Sequence, residues 1–135
     1  MGRPLLILLD THVVVWLAFE ESRISPKARA AIDQARQTKG GLGISDVTLY
    51  ELSMLYRKHK IRISITLESF LSDVEKHFAV LPITGRVCVR ASSLPATYPR
   101  DPFDRVIGAT ALVEGLTLIT ADGEIRKSHA LPTIW

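Results

Sequence analysis

Pro4-Leu5-Leu6-Ile7-Leu8-Leu9-Asp10-Thr11-His12 is the stretch that decides the fold. Its uninterrupted apolar half is the pattern of a strand covered on both faces rather than one side of an open sheet. It ends at a carboxylate, and residues 11–19 then read as a helix. The pattern returns near the other end as Leu116-Thr117-Leu118-Ile119-Thr120, followed closely by Asp122. Shorter strands are expected at 42–44, 79–82 and 132–134. Ser25-Pro26 opens a helix as cap and first-turn proline, and this helix should stop near Gly40-Gly41. Further helices are expected at 46–58, 66–77, 84–94, 102–115 and 122–128. Short apolar strands alternating with helices make a parallel sheet wound on both sides, an α/β sandwich. Right-handed crossovers place the C-terminal ends of the strands on one edge, where ligand sites gather at the reversal of strand order. Asp10 and Asp122, each following a core strand, become the first candidates.

The 135 residues read as a single domain, 1–135, with no internal repeat or linker. An apolar fraction of 47% with 23% charged residues is ordinary for a globular chain and excludes the disordered and low-complexity classes. The lone Cys88 can close neither an internal disulfide nor a thiolate zinc site, so a reducing, cytoplasmic setting is expected. The run ending at Leu9 and the next, Val13 to Phe19, are too short to span a bilayer, and Asp10, Thr11 and His12 break any leader-like apolar core. A net charge of +3 permits an anionic partner without demanding one.

Each remaining acid has a structural explanation that competes with a functional one. Asp10 could simply cap the helix that follows it. Glu51 lies amid Val47, Met54 and Leu55 on one helical arc. A carboxylate facing a core needs a partner, and either Lys58 or a metal could supply it. In Asp101-Pro102-Phe103-Asp104, Asp101 suits the cap, Pro102 the first turn and Asp104 the third helical position. The helix beyond is apolar nearly all round, and Gly108, Ala111 and Gly115 on the Asp104 side are small enough for close approach to the sheet. Asp122 could serve a turn before a short helix. Four acids converging on one strand edge are harder to explain as caps. Carboxylates held together repel and call for a cation. An all-oxygen set selects Mg²⁺ or Mn²⁺, and a hard cation can activate water against a phosphodiester.

Leu8-Leu9-Asp10-Thr11-His12, the Ser45 to Leu52 segment carrying Glu51, Asp101-Pro102-Phe103-Asp104-Arg105 with Ile107-Gly108-Ala109-Thr110-Ala111, and Leu118-Ile119-Thr120-Ala121-Asp122 together resemble the PIN-domain pattern in order and spacing. The closing Pro132-Thr133-Ile134-Trp135 resembles the end of VapC-type toxins. The resemblance covers essentially the whole chain. It implies a PIN-like three-layer α/β/α sandwich around a central, mainly parallel sheet of about five strands. It also implies an Mg²⁺- or Mn²⁺-dependent endoribonuclease, usually a homodimer, held in check by a cognate antitoxin that inserts a segment into the active-site groove. Carried over by position, Asp10, Glu51, Asp104 and Asp122 form the acidic quartet, with Asp10 and Asp104 as metal ligands. Glu51 orients a water or completes the metal shell, and Asp122 binds the metal directly or through water. Thr11 and Thr120 are expected to hydrogen-bond around the site, and Asp101 is an auxiliary acid.

Arg100 and Arg105 flank the Asp101–Asp104 segment and are the first candidates for holding an RNA phosphate. Arg57, Lys58, His59, Lys60 and Arg62 form the densest basic run, which suits either phosphate binding or a solvated helix end. The four histidines show no metal-ligand spacing, and only His12 falls near the acids. Cys88 is expected in the core, and Trp16 and Trp135 are expected to pack. The rival phosphatase and phosphoacceptor readings require a second aspartate two positions after Asp10, where His12 stands, or a lysine after the last strand. A non-catalytic binding module and a nuclease of RNA processing remain as alternatives.

Overall fold

The computed structural model describes residues 7–38 and 41–135, so the Pro4-Leu5-Leu6 part of the expected first strand and the expected helix stop at Gly40 lie outside the described residues. The sheet is assembled from β1 (Ile7–Leu9), β2 (Leu42–Ser45), β3 (Ala79–Leu81), β4 (Thr117–Ile119) and β5 (Thr133–Ile134). Their spatial order is β3-β2-β1-β4-β5, and every neighbouring pair runs parallel. Leu8 pairs with Gly43 on one side and with Leu118 on the other. The chain therefore builds outward from β1 through β2 to β3, then returns to place β4 on the opposite flank of β1. The reversal between β1 and β4 opens a crevice at their C-terminal ends.

Among the described residues seven α-helices connect the strands: α1 (Thr11–Phe19), α2 (Pro26–Arg36), α3 (Asp46–Arg57), α4 (Leu67–His77), α5 (Gly85–Ser92), α6 (Pro102–Glu114) and α7 (Gly123–Ser128). Polar side chains start them locally. Ser25 Oγ accepts the Ala28 N–H at 3.1 Å, Thr66 Oγ1 that of Ser69 at 3.1 Å, and Thr84 Oγ1 that of Val87 at 3.2 Å. Gly115 ends α6 with φ 67°, the left-handed position that glycine adopts without a Cβ penalty.

Alternation along β1 divides the core. Ile7 and Leu9 join Ile44, Ile119, Val13 and Ile32 on the side of α1 and α2. Leu8 and Leu118 meet Ile107, Ala111, Ile125 and Leu131 on the side of α6 and α7. With helices over both faces, the three-layer α/β/α expectation holds. Each fully buried leucine here is worth about 2–5 kcal/mol against alanine, which is why the short strands suffice.

The structure corrects the expectation for Cys88, which is exposed. On α5, Val87 and Ala91 supply the buried face against Ala109 of α6, and Cys88 turns away from it. Trp16 and Trp135 do pack together, with ring centroids 5.6 Å apart. Among the described residues no helix is long and apolar enough to cross a membrane.

Candidate functional site

Asp10 stands at the switch point, where its N–H continues the ladder to the Ile119 carbonyl at 3.1 Å. Its carboxylate is buried and held at both oxygens. Oδ1 accepts the Thr11 N–H at 2.9 Å as the cap of α1, and Oδ2 accepts the Thr120 hydroxyl at 2.8 Å from the end of β4. The capping and functional readings of Asp10 are thus compatible, because the cap fixes the direction in which the acid points.

Thr11 reaches the opposite way. Its hydroxyl donates to Glu51 Oε1 at 2.6 Å, while the Thr48 hydroxyl, one turn earlier on α3, lies 3.0 Å from Thr11 Oγ1. Since Thr11 has a single hydroxyl proton and gives it to the carboxylate, Thr48 is the donor of the second bond. Glu51 is half-buried, and among the described residues it forms no ion pair with Lys58. Burial pushes its carboxyl above the ordinary value, the Thr11 bond pulls it down, and the charges of Asp10 and Asp101 push it up again.

Asp101 caps α6 as expected, its Oδ1 accepting the N–H groups of Phe103 at 2.8 Å and Asp104 at 3.1 Å. Asp104 sits on the first turn, pushed up to about 7 by burial first and then by Asp10, Asp101, Asp122 and Glu51. Thr120 Oγ1 accepts the Asp122 N–H at 3.0 Å, and Asp122 Oδ1 accepts those of Glu124 at 2.9 Å and Ile125 at 3.1 Å to start α7.

Asp10, Glu51 and Asp104 line one cleft of about 300 Å³ together with Thr11, His12, Trp16, Lys60 and Ile61. Asp122 lies outside that lining, although its charge reaches Asp104 and His12. Among the described residues no three acidic, imidazole or thiol side chains close into a ready metal cage. The donor set nevertheless suits a hard cation. It is all oxygen, it is withdrawn from solvent, and the neighbouring negative charges raise the proton affinity of Glu51 and Asp104, a cost that a divalent cation removes.

One expectation needs correction, that for Gly108. Arg105 donates one guanidinium N–H to the Ala91 carbonyl at 3.1 Å, tying α6 to the end of α5. Gly108 makes its close approach to Tyr98, not to the sheet, and a Cβ there would come within 2.7 Å of the tyrosine Cζ. Arg100 is exposed and outside the cleft lining.

Sequence reasoning missed Tyr98 and Thr48. Tyr98 is 1% exposed, and its hydroxyl donates to the Asp104 backbone carbonyl at 2.9 Å, pinning the turn that carries the acid. Its burial and the neighbouring carboxylates push the phenol above its ordinary value. No linear signal marks this pair beyond a small residue ten positions later. Thr48 was detectable, since it precedes Glu51 by three residues and shares its face. His12 behaves as an orienting group: its Nε2 accepts the Ala121 N–H at 2.9 Å, and Nδ1 lies 3.7 Å from Asp10 Oδ2.

The PIN domain family model matches residues 7–129. Ribonuclease VapC22 of Mycobacterium tuberculosis is 36% identical over 132 residues, spanning 96% of this chain and 98% of that protein. The fold is similar to that in the DNA-bound VapBC structure from Salmonella typhimurium, with TM-score 0.69, 22% identity and 96% of each chain covered. It is equally similar to VapBC2 from Rickettsia felis bound to a promoter fragment, with TM-score 0.69, 16% identity, and 95% of this chain and 96% of that one covered.

Proposed function

The chain belongs to the PIN domain family, and on that premise we propose that it is an Mg²⁺- or Mn²⁺-dependent endoribonuclease, the toxin of a toxin–antitoxin pair. The observation that carries the reading is the meeting of Asp10, Glu51 and Asp104, from three distant parts of the chain, in one cleft at the strand-order reversal. Support for the substrate comes from the ribonuclease relative, and support for an antitoxin partner from the likeness to VapBC assemblies. Homodimerisation and a cytoplasmic setting belong to the same proposal.

Asp10 and Asp104 would hold the cation, with Asp122 bearing on it from the edge and Asp101 serving as the helix cap behind Asp104. A hard divalent cation supplies Lewis acidity at the phosphate and makes water a nucleophile near neutral pH. Thr120 and the Thr11 N–H hold the Asp10 carboxylate from both sides, so its direction is set before any ligand arrives. Glu51, held at Oε1 by Thr11, presents its other oxygen to receive a proton from the attacking water. The water oxygen bonds to phosphorus as the bond to the 3′ oxygen breaks, and the 3′ oxygen takes up a proton from solvent, leaving a 5′-phosphate and a 3′-hydroxyl.

Growth after induced expression in a bacterium, wild type against Asp10→Asn at matched protein levels, tests the proposal. Arrest by the wild type alone supports a toxin acting through the acidic site. Equal arrest by both would assign toxicity to something other than this chemistry. Growth unaffected by either would favour an RNA-processing nuclease or a non-catalytic module.

A further inference from the structure

The dense basic run acquires a place in the structure. Lys60 lines the carboxylate cleft, and the adjacent Ile61 lines both that cleft and a second, of about 550 Å³, walled by Tyr56, Arg57, His59 and Arg62. The two hollows therefore lie side by side, with Ile61 as a common wall. Resting on the nuclease reading above, we propose that the turn between α3 and α4 is the entry track for single-stranded RNA. Lys60 holds a phosphate beside the carboxylates, Arg57 and Arg62 hold the phosphates farther out, and Tyr56 offers a face on which a base stacks.

The turn is built to present these groups. The Lys58, His59 and Lys60 N–H groups close the last carbonyls of α3, bonding to Met54 at 2.9 Å, Tyr56 at 3.0 Å and Leu55 at 2.8 Å. This closure places His59 at φ 58°, where glycine is the relaxed residue, so the chain carries an imidazole at a position that favours none. Ile61 is buried and anchors the turn, while Arg57, Lys58, His59 and Lys60 around it are exposed.

Arg23 and Arg29 pair with Glu20 and Glu21, but among the described residues Arg57, Lys58, Lys60 and Arg62 have no carboxylate partner. The Arg57 guanidinium lies 5.9 Å from the Tyr56 ring centroid. The negative pole of α3 explains a cation in its last turn. It does not explain Lys60 and Arg62, which lie beyond the helix, with Lys60 bordering the acids. Cations interleaved with an aromatic ring are the chemistry of single-strand recognition, since a paired base cannot offer its face to Tyr56.

The test is fluorescence anisotropy of a short single-stranded RNA in EDTA, across a potassium chloride series, with the full chain. Lys60→Ala and the double variant Arg57→Ala/Arg62→Ala should weaken binding and flatten the salt dependence by about 0.7 in log–log slope for each phosphate no longer held. Tyr56→Leu should weaken it about fivefold or more, and duplex RNA of the same sequence should bind less well. Lys60→Arg should restore binding, and Arg86→Ala/Arg90→Ala on α5 should leave it unchanged. Melting curves for each variant separate misfolding from the removal of a phosphate anchor. Unaltered RNA binding by the folded Lys60 and Arg57/Arg62 variants overturns the track. It is overturned also where those variants bind RNA normally but lose affinity for an antitoxin, which would assign the surface to a protein partner. Because binding is read without a cation, loss of binding in the variants alongside an inactive wild type would uphold the track and remove the nuclease reading. Cleavage with unaltered binding would do the reverse.

Discussion

The Thr120 hydroxyl donates to Asp10 Oδ2 at 2.8 Å and accepts the Asp122 N–H at 3.0 Å, joining two candidate acids through one buried side chain 110 positions from Asp10. Removing it leaves a buried carboxylate oxygen and a backbone N–H without their partner. Thr120→Val should therefore destabilise the fold by about 1–3 kcal/mol in denaturant titrations. Its RNA cleavage should fall further than stability alone explains, with Thr120→Ser recovering most of both.

Asp104 yields a pH prediction. Its carboxyl is pushed up to about 7 in the folded chain, against an ordinary 3.8, with burial as the largest cause. Between those values the native state keeps a proton that the unfolded chain has released, so stability falls as pH rises through that window. Without metal, the melting temperature should drop between about pH 4 and about pH 7, and Asp104→Asn should flatten the drop. Mn²⁺ should stabilise the wild type more at the upper pH, where no proton competes for the carboxylate.

A third prediction concerns packing behind the same acid. A Cβ at Gly108 would run into the Tyr98 ring and hydroxyl. Gly108→Ala should cost about 1–3 kcal/mol through overpacking. Tyr98→Phe should cost about 1 kcal/mol through the missing bond to the Asp104 carbonyl. Because the two residues touch, a double-mutant cycle should show a combined loss smaller than the sum.

His12 should be neutral near pH 7. Burial lowers its pKa from the usual 6.5, outweighing the nearby Asp10 and Asp122, which raise it. A backbone N–H can only donate, so the Ala121 bond fixes Nε2 as acceptor and places the proton on Nδ1, toward Asp10. Nitrogen NMR shifts should show this tautomer. As pH falls below the usual value the unfolded chain takes up the proton first, so this residue's contribution to stability declines. Below the lowered folded value the ring charges and gives up the Ala121 bond.

The strands and helix starts were legible because local chemistry dictates them. The apolar runs before Asp10 and around Leu118 could only be buried strands, and Ser25-Pro26 and Asp101-Pro102 announce their helices with side chains that the structure shows bonding as caps. The family pattern then pointed to the quartet, and three of its members line one cleft. Thr48 could have been read from its spacing to Glu51, but the Tyr98 contact and the Arg105 bond were not legible, since each depends on which helix lies beside it. Arg105 looks free in sequence, yet the end of α5 offers it the Ala91 carbonyl. Cys88 misled for a related reason: apolar neighbours on both sides hide which face of α5 turns inward.

The most direct measurement is the chemistry of the cut ends when the purified chain meets RNA, in EDTA and then with Mn²⁺, for the wild type and for Asp104→Asn. A metal-dependent nuclease acting through this cleft cuts only as the wild type with the cation present, each cut leaving a 5′-phosphate and a 3′-hydroxyl. Cleavage in EDTA by both proteins, or ends carrying a 2′,3′-cyclic phosphate, would contradict that mechanism.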